Sequence, residues 1–113
     1  MGRLFLCNAF SLNMVDFEER EEVDVRIVKI TEEEAKQWLK NNKFVSAIGH
    51  ESTAKIISQK LGIEVKSNRI MIKMKKGDKA IIFQLLQRLP EGKVLTEEEI
   101  KQLPSTWFLV IIC

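Results

Sequence analysis

Residues 107–113 read Trp107-Phe108-Leu109-Val110-Ile111-Ile112-Cys113, seven apolar positions without a polar break. A strand with one wet face alternates apolar and polar residues, so an unbroken run must be covered on both faces. It belongs in the interior of a sheet or in a seam between two subunits. Such a strand needs neighbours on either side and cover above and below. The remaining chain has to supply them.

Neighbours are visible. Residues 3–7 form a short apolar run, and residues 23–30 alternate well enough to be a second strand. Asn68-Arg69 opens a third alternation, with Ile70, Ile72 and Met74 against Met71, Lys73 and Lys75. Lys76-Gly77-Asp78 is a turn signal, and residues 79–87 read as the strand that returns from it in a hairpin. Within that strand a period of two puts Ile82, Gln84, Leu86 and Arg88 on one face.

Cover comes from three helices. Thr31-Glu32-Glu33-Glu34 and Thr96-Glu97-Glu98-Glu99 both have capping-box spacing. Ala35, Trp38 and Leu39 follow the first, and Ile100 and Leu103 follow the second before Pro104 stops it. The third begins after Gly49, where Ala54, Ile57 and Leu61 recur at helical spacing and Gly62 ends the pattern. The expected fold is a single α/β domain over residues 1–113. It has a mixed sheet with helices packed mainly on one face, in the order β-β-α-α-β-β-α-β.

Composition narrows the function. The chain has 113 residues, 45% hydrophobic and 30% charged, with a net charge of +2. So small a charge argues against general DNA or RNA binding, and no helix carries a basic recognition face. Any bound polyanion should be small. Cys7 and Cys113 lie far apart and there is one histidine, so no metal-ligand spacing exists. A reduced, intracellular setting, the cytoplasm, is expected. No run reaches membrane-spanning length, and the first residues do not form a signal peptide.

Three polar groups stand out: Asn8, Ser11 and Asn13; His50, Ser52 and Thr53; and Arg69, Gln84, Arg88 and Glu91. The first follows a strand directly, either as a capped turn or as a polar lip where α/β proteins bind ligands. His50 stands where a helix begins, a place that attracts anions. It is either a helix cap or a group that works on a bound phosphate. Arg88-Leu89-Pro90-Glu91-Gly92 has the stiff and permissive residues of a closing loop. One histidine, arginines and uncharged hydrogen bonders suit metal-free scission of RNA, in which the 2′-hydroxyl attacks the adjacent phosphate.

Four blocks, Asn8-Ala9-Phe10-Ser11-Leu12-Asn13-Met14, Ser46-Ala47-Ile48-Gly49-His50, Asn68-Arg69 and Gln87-Arg88-Leu89-Pro90-Glu91-Gly92, resemble the signature blocks of the anti-CRISPR ring nucleases. That family occurs in archaeal and bacterial viruses, with some cellular members. The resemblance implies an enzyme, in the host cytoplasm, that opens cyclic tetra-adenylate without metal or cofactor. The two-fold symmetry of that ring leads to the expectation of a homodimer with one ring across the two subunits. The products are linear di-adenylates ending in a 2′,3′-cyclic phosphate, and the effect is to switch off type III CRISPR signalling. By the same resemblance His50 is the general acid, Arg88 grips the phosphate backbone and Glu91 completes the closing loop. Asn8, Ser11, Asn13, Ser52, Thr53, Arg69 and Gln84 match ligand-holding positions. The rival expectation is a non-catalytic nucleotide-binding dimer, an adapter or regulator that holds the ring intact.

Overall fold

The computed structural model describes residues 2–86 and 96–113. Five strands, β1 (Leu4–Cys7), β2 (Val25–Ile30), β3 (Val45–Ser46), β4 (Lys79–Leu85) and β5 (Ser105–Ile112), form one mixed sheet in the order β2-β5-β4-β1-β3. Helices α1 (Glu32–Asn41), α2 (Glu51–Leu61) and α3 (Glu97–Gln102) lie between them in the chain. β5, the unbroken apolar run, sits between β2 and β4 and pairs antiparallel with both. β1 pairs parallel with β4 and with β3. The sequence expectation of a mixed sheet with a buried inner strand holds.

The helices share one face of the sheet. Leu6, Ile81, Phe83, Trp107 and Leu109 point to that face and pack with Ala35 and Leu39 of α1, Ile57 and Leu61 of α2, and Ile100 of α3. The Phe83 and Trp107 rings meet there, with centroids 4.7 Å apart. Both expected capping boxes form. Thr31 Oγ1 accepts the Glu34 N–H at 3.1 Å, and Thr96 Oγ1 accepts the Glu99 N–H at 3.2 Å. Lys60 ties the layer together. Its side chain is 4% exposed, and its ammonium donates to the Leu103 carbonyl at 3.1 Å and lies 3.6 Å from Glu32.

The opposite face has a thinner cover. Phe5, Cys7, Ala80, Ile82, Val110 and Ile112 point to it, and Val15, Ile72 and Met74 close over them without a helix. Toward β2 this face is bare, leaving Val25 and Ile27 at 38% and 57% exposure.

Two expectations about order need correction. Residues 44–48 contribute a strand, β3, so the described order is β-β-α-β-α-β-α-β. The hairpin of residues 68–87 does not form. Its first arm runs extended beside residues 14–16, with one isolated bridge between Val15 and Met74. The turn at Gly77 (φ +91°) delivers the chain to β1 rather than back along that arm. Asp78 causes this. Its buried carboxylate accepts the Arg3 N–H at 2.8 Å, the Arg3 guanidinium at 2.7 Å and the Lys75 N–H at 2.8 Å, clamping the turn to the start of β1. The carboxyl ends of β1 and β4 are thereby set side by side at the other end of the sheet.

Candidate functional site

The parallel strands β3 and β1 end side by side, with Leu6 paired to Ser46, and beside them β4 runs on three residues past Ile82, the partner of Cys7, to Leu85. In an α/β sheet the ground beyond the carboxyl ends of parallel strands is where ligands bind. Three sequence-predicted residues stand on it. Asn8 follows β1 directly, Gln84 lies two residues past Ile82, and His50 follows the extension of β3.

His50 holds the N-cap position of α2 with extended backbone (φ −120°, ψ 128°), yet its side chain makes no capping hydrogen bond. The imidazole is exposed. A capping role for the side chain is therefore absent, while the free N–H groups of the first helical turn remain beside it.

Arg69 is brought to the same place by a stitched loop. Ser46 Oγ donates to the Lys66 carbonyl at 2.7 Å. Asn68 answers with its side-chain amide on the Ser46 carbonyl at 2.8 Å and its N–H on the Ile48 carbonyl at 2.7 Å. Arg69 then lies along Gly49. A methyl group at Gly49 would stand 3.6 Å from the Arg69 Nε, an ordinary van der Waals contact, so the Arg69 side chain packs against the residue that precedes His50.

Asn8 and Ala9 form a ridge between two clefts. On one side a cleft of about 370 Å³ runs over the helix-free face, lined by Gln84, Phe10, Ile27 and Phe108. On the other a notch of about 310 Å³ is lined by Ser11, Asn13, Met14, Ala47, Ile70 and Met71. Asn8, Ser11 and Asn13 thus share one lip, and the side-chain amides of Asn8 and Asn13 bond no other described residue. The capped-turn alternative is realised for Ser11–Met14: the Met14 N–H donates to the Ser11 carbonyl at 3.0 Å, and the Met14 thioether accepts the Ser11 N–H at 3.3 Å.

The remaining candidates divide. Ser52 is exposed but lines a separate groove along α2, with Lys55, Ser58 and Lys66. Thr53 is 8% exposed and belongs to the buried side of α2. Arg88 and Glu91, and with them the loop of residues 88–92, lie outside the described residues. Ile70, Met71 and Phe10 were not singled out by sequence reasoning. The available signal was an apolar pair directly after Asn68-Arg69. Among the described residues no three His, Cys, Asp or Glu side chains gather closely enough to hold a metal ion. No described helix is long and apolar enough to cross a membrane.

Comparison with known proteins gives consistent relatives. A protein of Sulfolobus islandicus filamentous virus (isolate Iceland/Hveragerdi), Uncharacterized protein 26, is 42% identical over 86 residues, covering 74% of this chain and 73% of the relative. The YddF protein of Bacillus subtilis (strain 168) is 39% identical over 84 residues, covering 73% of this chain and 78% of its own. Among solved structures, B116 of Sulfolobus turreted icosahedral virus (STIV) superposes with a TM-score of 0.82 at 35% identity, covering 97% of this chain and 99% of that one. Residues 4–107 match the family model described as STIV B116-like, so the chain belongs to the STIV B116-like family.

Proposed function

We propose that this chain is a metal-independent phosphodiesterase that opens cyclic tetra-adenylate into linear di-adenylates. The 2′-hydroxyl of one nucleotide attacks its own 3′-phosphate, forming a 2′,3′-cyclic phosphate and releasing its proton to solvent. The bond to the departing 5′-oxygen breaks, and His50 gives that oxygen its proton. Arg69 and Arg88 offset the charge that builds on the phosphate, and Glu91 completes the loop that excludes water. Asn8, Ser11, Asn13 and Gln84 hold the ring with their side chains, and Ser52 and Thr53, in the first turn of α2, offer it backbone N–H groups.

The observation that carries this reading is the packing of Arg69 against Gly49, the residue directly before His50. An exposed imidazole without a capping bond stands at the start of α2, and the Arg69 side chain packs against the residue before it, at the carboxyl-end side of the parallel strands. General acid, cation and anion-binding N–H groups are the components that phosphodiester scission needs when the substrate brings its own nucleophile.

A homodimer with one ring across the two subunits fits the same reading. The ring has two-fold symmetry, and an isologous pair presents the same residues to opposite phosphates. The uncovered β2 side of the sheet, with Val25 and Ile27 exposed, offers apolar surface for such a contact.

Incubating the purified protein with cyclic tetra-adenylate in EDTA and weighing the products tests the proposal. Di-adenylates with cyclic phosphate ends are expected. A ring recovered intact from a protein that binds it would favour the adapter. Activity lost in chelator and restored by magnesium would refute the metal-free step.

A further inference from the structure

β3 is the last strand of the sheet, and among the described residues no strand lies beyond it. Ala47 turns its N–H inward to the Leu6 carbonyl at 2.8 Å, so Ser46 and Ile48 turn their backbone groups outward. Such groups on an edge are left to water unless something else takes them. Here one residue takes both carbonyls. The Asn68 side-chain amide donates to Ser46 at 2.8 Å, and the Asn68 N–H donates to Ile48 at 2.7 Å. Asn68 thus stands in for a sixth strand. The two segments continue in step from that bonded pair. Gly49 follows Ile48 and Arg69 follows Asn68, and the Arg69 Cγ and Nε lie 3.8 and 3.6 Å from the place of a Gly49 methyl group. Among the described residues none bonds the Arg69 guanidinium. A long side chain with a free end is placed only by its backbone and by what its stem packs on.

We propose that Asn68 is a positioning residue for the crevice beyond the parallel strands, its two bonds setting the Arg69 side chain against Gly49, directly before His50. The inference rests on the phosphodiester reading of the crevice and adds to it a residue that touches no substrate. Asn68 acts through Arg69. Removing its amide leaves the segment attached to the edge of β3 by the bond to Ile48 alone, and the Arg69 stem is then free to leave Gly49. A cation that wanders holds a phosphate less well than one fixed in place. In an in-line displacement the same loss of placement also lowers the rate, because the reacting atoms are less often aligned. The amide is suited to this task, since one residue supplies a side-chain donor and a backbone donor to carbonyls two residues apart on one strand edge.

The test reads Arg69 directly, before any ligand is added. The full chain, labelled with ¹⁵N at its five arginines, gives one side-chain Nε–H signal for each. Arg69→Ala assigns the Arg69 signal, and Arg3, whose guanidinium is held by Asp78 at 2.7 Å, serves as internal reference. Asn68→Ala should lower the ¹H–¹⁵N nuclear Overhauser ratio of the Arg69 Nε toward the free-chain value and leave that of Arg3 in place. Ser46→Ala, which cuts the neighbouring bond to the Lys66 carbonyl, should lower it in the same direction by less. Asn68 is exposed, so the fold should survive its truncation, with a melting temperature within about 5 °C of wild type. Affinity for cyclic tetra-adenylate is then measured in a His50→Ala background, where the ring stays intact. Asn68→Ala should weaken binding about three- to tenfold when Arg69 is present, and less than about twofold when Arg69→Ala is also present. An Arg69 signal as ordered in Asn68→Ala as in wild type overturns the proposal, whether or not the ring is cleaved. So does an equal loss of affinity with and without Arg69, the mark of a purely structural role. A loosened Arg69 signal in Asn68→Ala, in a protein whose wild type never cleaves the ring, refutes the phosphodiesterase and leaves the positioning role standing.

Discussion

Replacing Asp78 by alanine should be among the most damaging single changes in the molecule, although Asp78 lies at the end of the sheet away from the crevice. The carboxylate is 3% exposed and accepts the Arg3 and Lys75 backbone N–H groups, each at 2.8 Å, and the Arg3 guanidinium at 2.7 Å. Alanine would leave two backbone donors without a partner, at about 1–3 kcal/mol each. The guanidinium contact adds at most about 1 kcal/mol, because the Arg3 side chain is 54% exposed. A loss of about 3–5 kcal/mol is a large part of the stability of a domain this size and corresponds to a melting temperature lower by about 10–20 °C.

The pH dependence follows from the same contacts. Burial alone would raise the Asp78 pKa, but the hydrogen bonds from Arg3 and Lys75 outweigh it and hold the carboxyl below its usual range. A depressed folded-state pKa contributes stability that is present above the unfolded value, about 4, and lost as pH falls through the folded one. Urea denaturation of wild type and Asp78→Ala should therefore differ fully at neutral pH and converge in acid. A difference under about 1 kcal/mol at pH 7, or one that persists unchanged at pH 2, would refute the clamp.

Three further outcomes are expected. His50→Ala should retain ring binding and slow single-turnover cleavage by at least ~10²-fold, measured by rapid quench. Arg88→Ala should reduce both ring affinity and cleavage rate, whereas Glu91→Ala should reduce the rate more than the affinity. Unchanged values in both variants would reduce the two residues to a surface pair. Finally, burial pushes the Cys7 thiol up to about 12, so at pH 8 iodoacetamide should modify the exposed Cys113 and leave Cys7 intact, as mass spectrometry of the digest would show.

The helices α1 and α3 were legible because a threonine three residues before a glutamate is a local signal, satisfied by the chain's own backbone. β3 was not. Two residues, Val45 and Ser46, become a strand only because β1 offers them an edge, and no local pattern encodes a partner 40 residues away. The alternation was real over residues 71–75, since Ile72 and Met74 are buried while Met71, Lys73 and Lys75 are exposed, but Ile70, expected on the buried face, is exposed. Alternation reports which face is covered, though, and not by what. Here the cover is exchanged with Met14 and Asp16, and the clamp at Asp78 sends the chain elsewhere. At the site, Asn8, His50 and Gln84 were readable as residues that close or follow apolar runs. Thr53 was not, because α2 is packed from both α1 and α3, and its buried side is wider than the stripe of Ala54, Ile57 and Leu61.

The thin cover on the helix-free face has a consequence for amide hydrogen exchange. Residues 68–74 are attached to the body by the Asn68 bonds at one end and, at the other, by the exchange of Met74 with Met14 and Asp16. Between them the N–H groups of Met71, Ile72 and Lys73 donate to no described residue, so their protons should exchange at close to free-chain rates. Ile81, Ile82 and Phe83, in the middle of the sheet, should exchange only when the whole domain opens. One wall of the crevice thus belongs to a separate, low-energy opening unit. Occupation of the crevice would register there as slowed exchange, while the protection of β4 stayed constant.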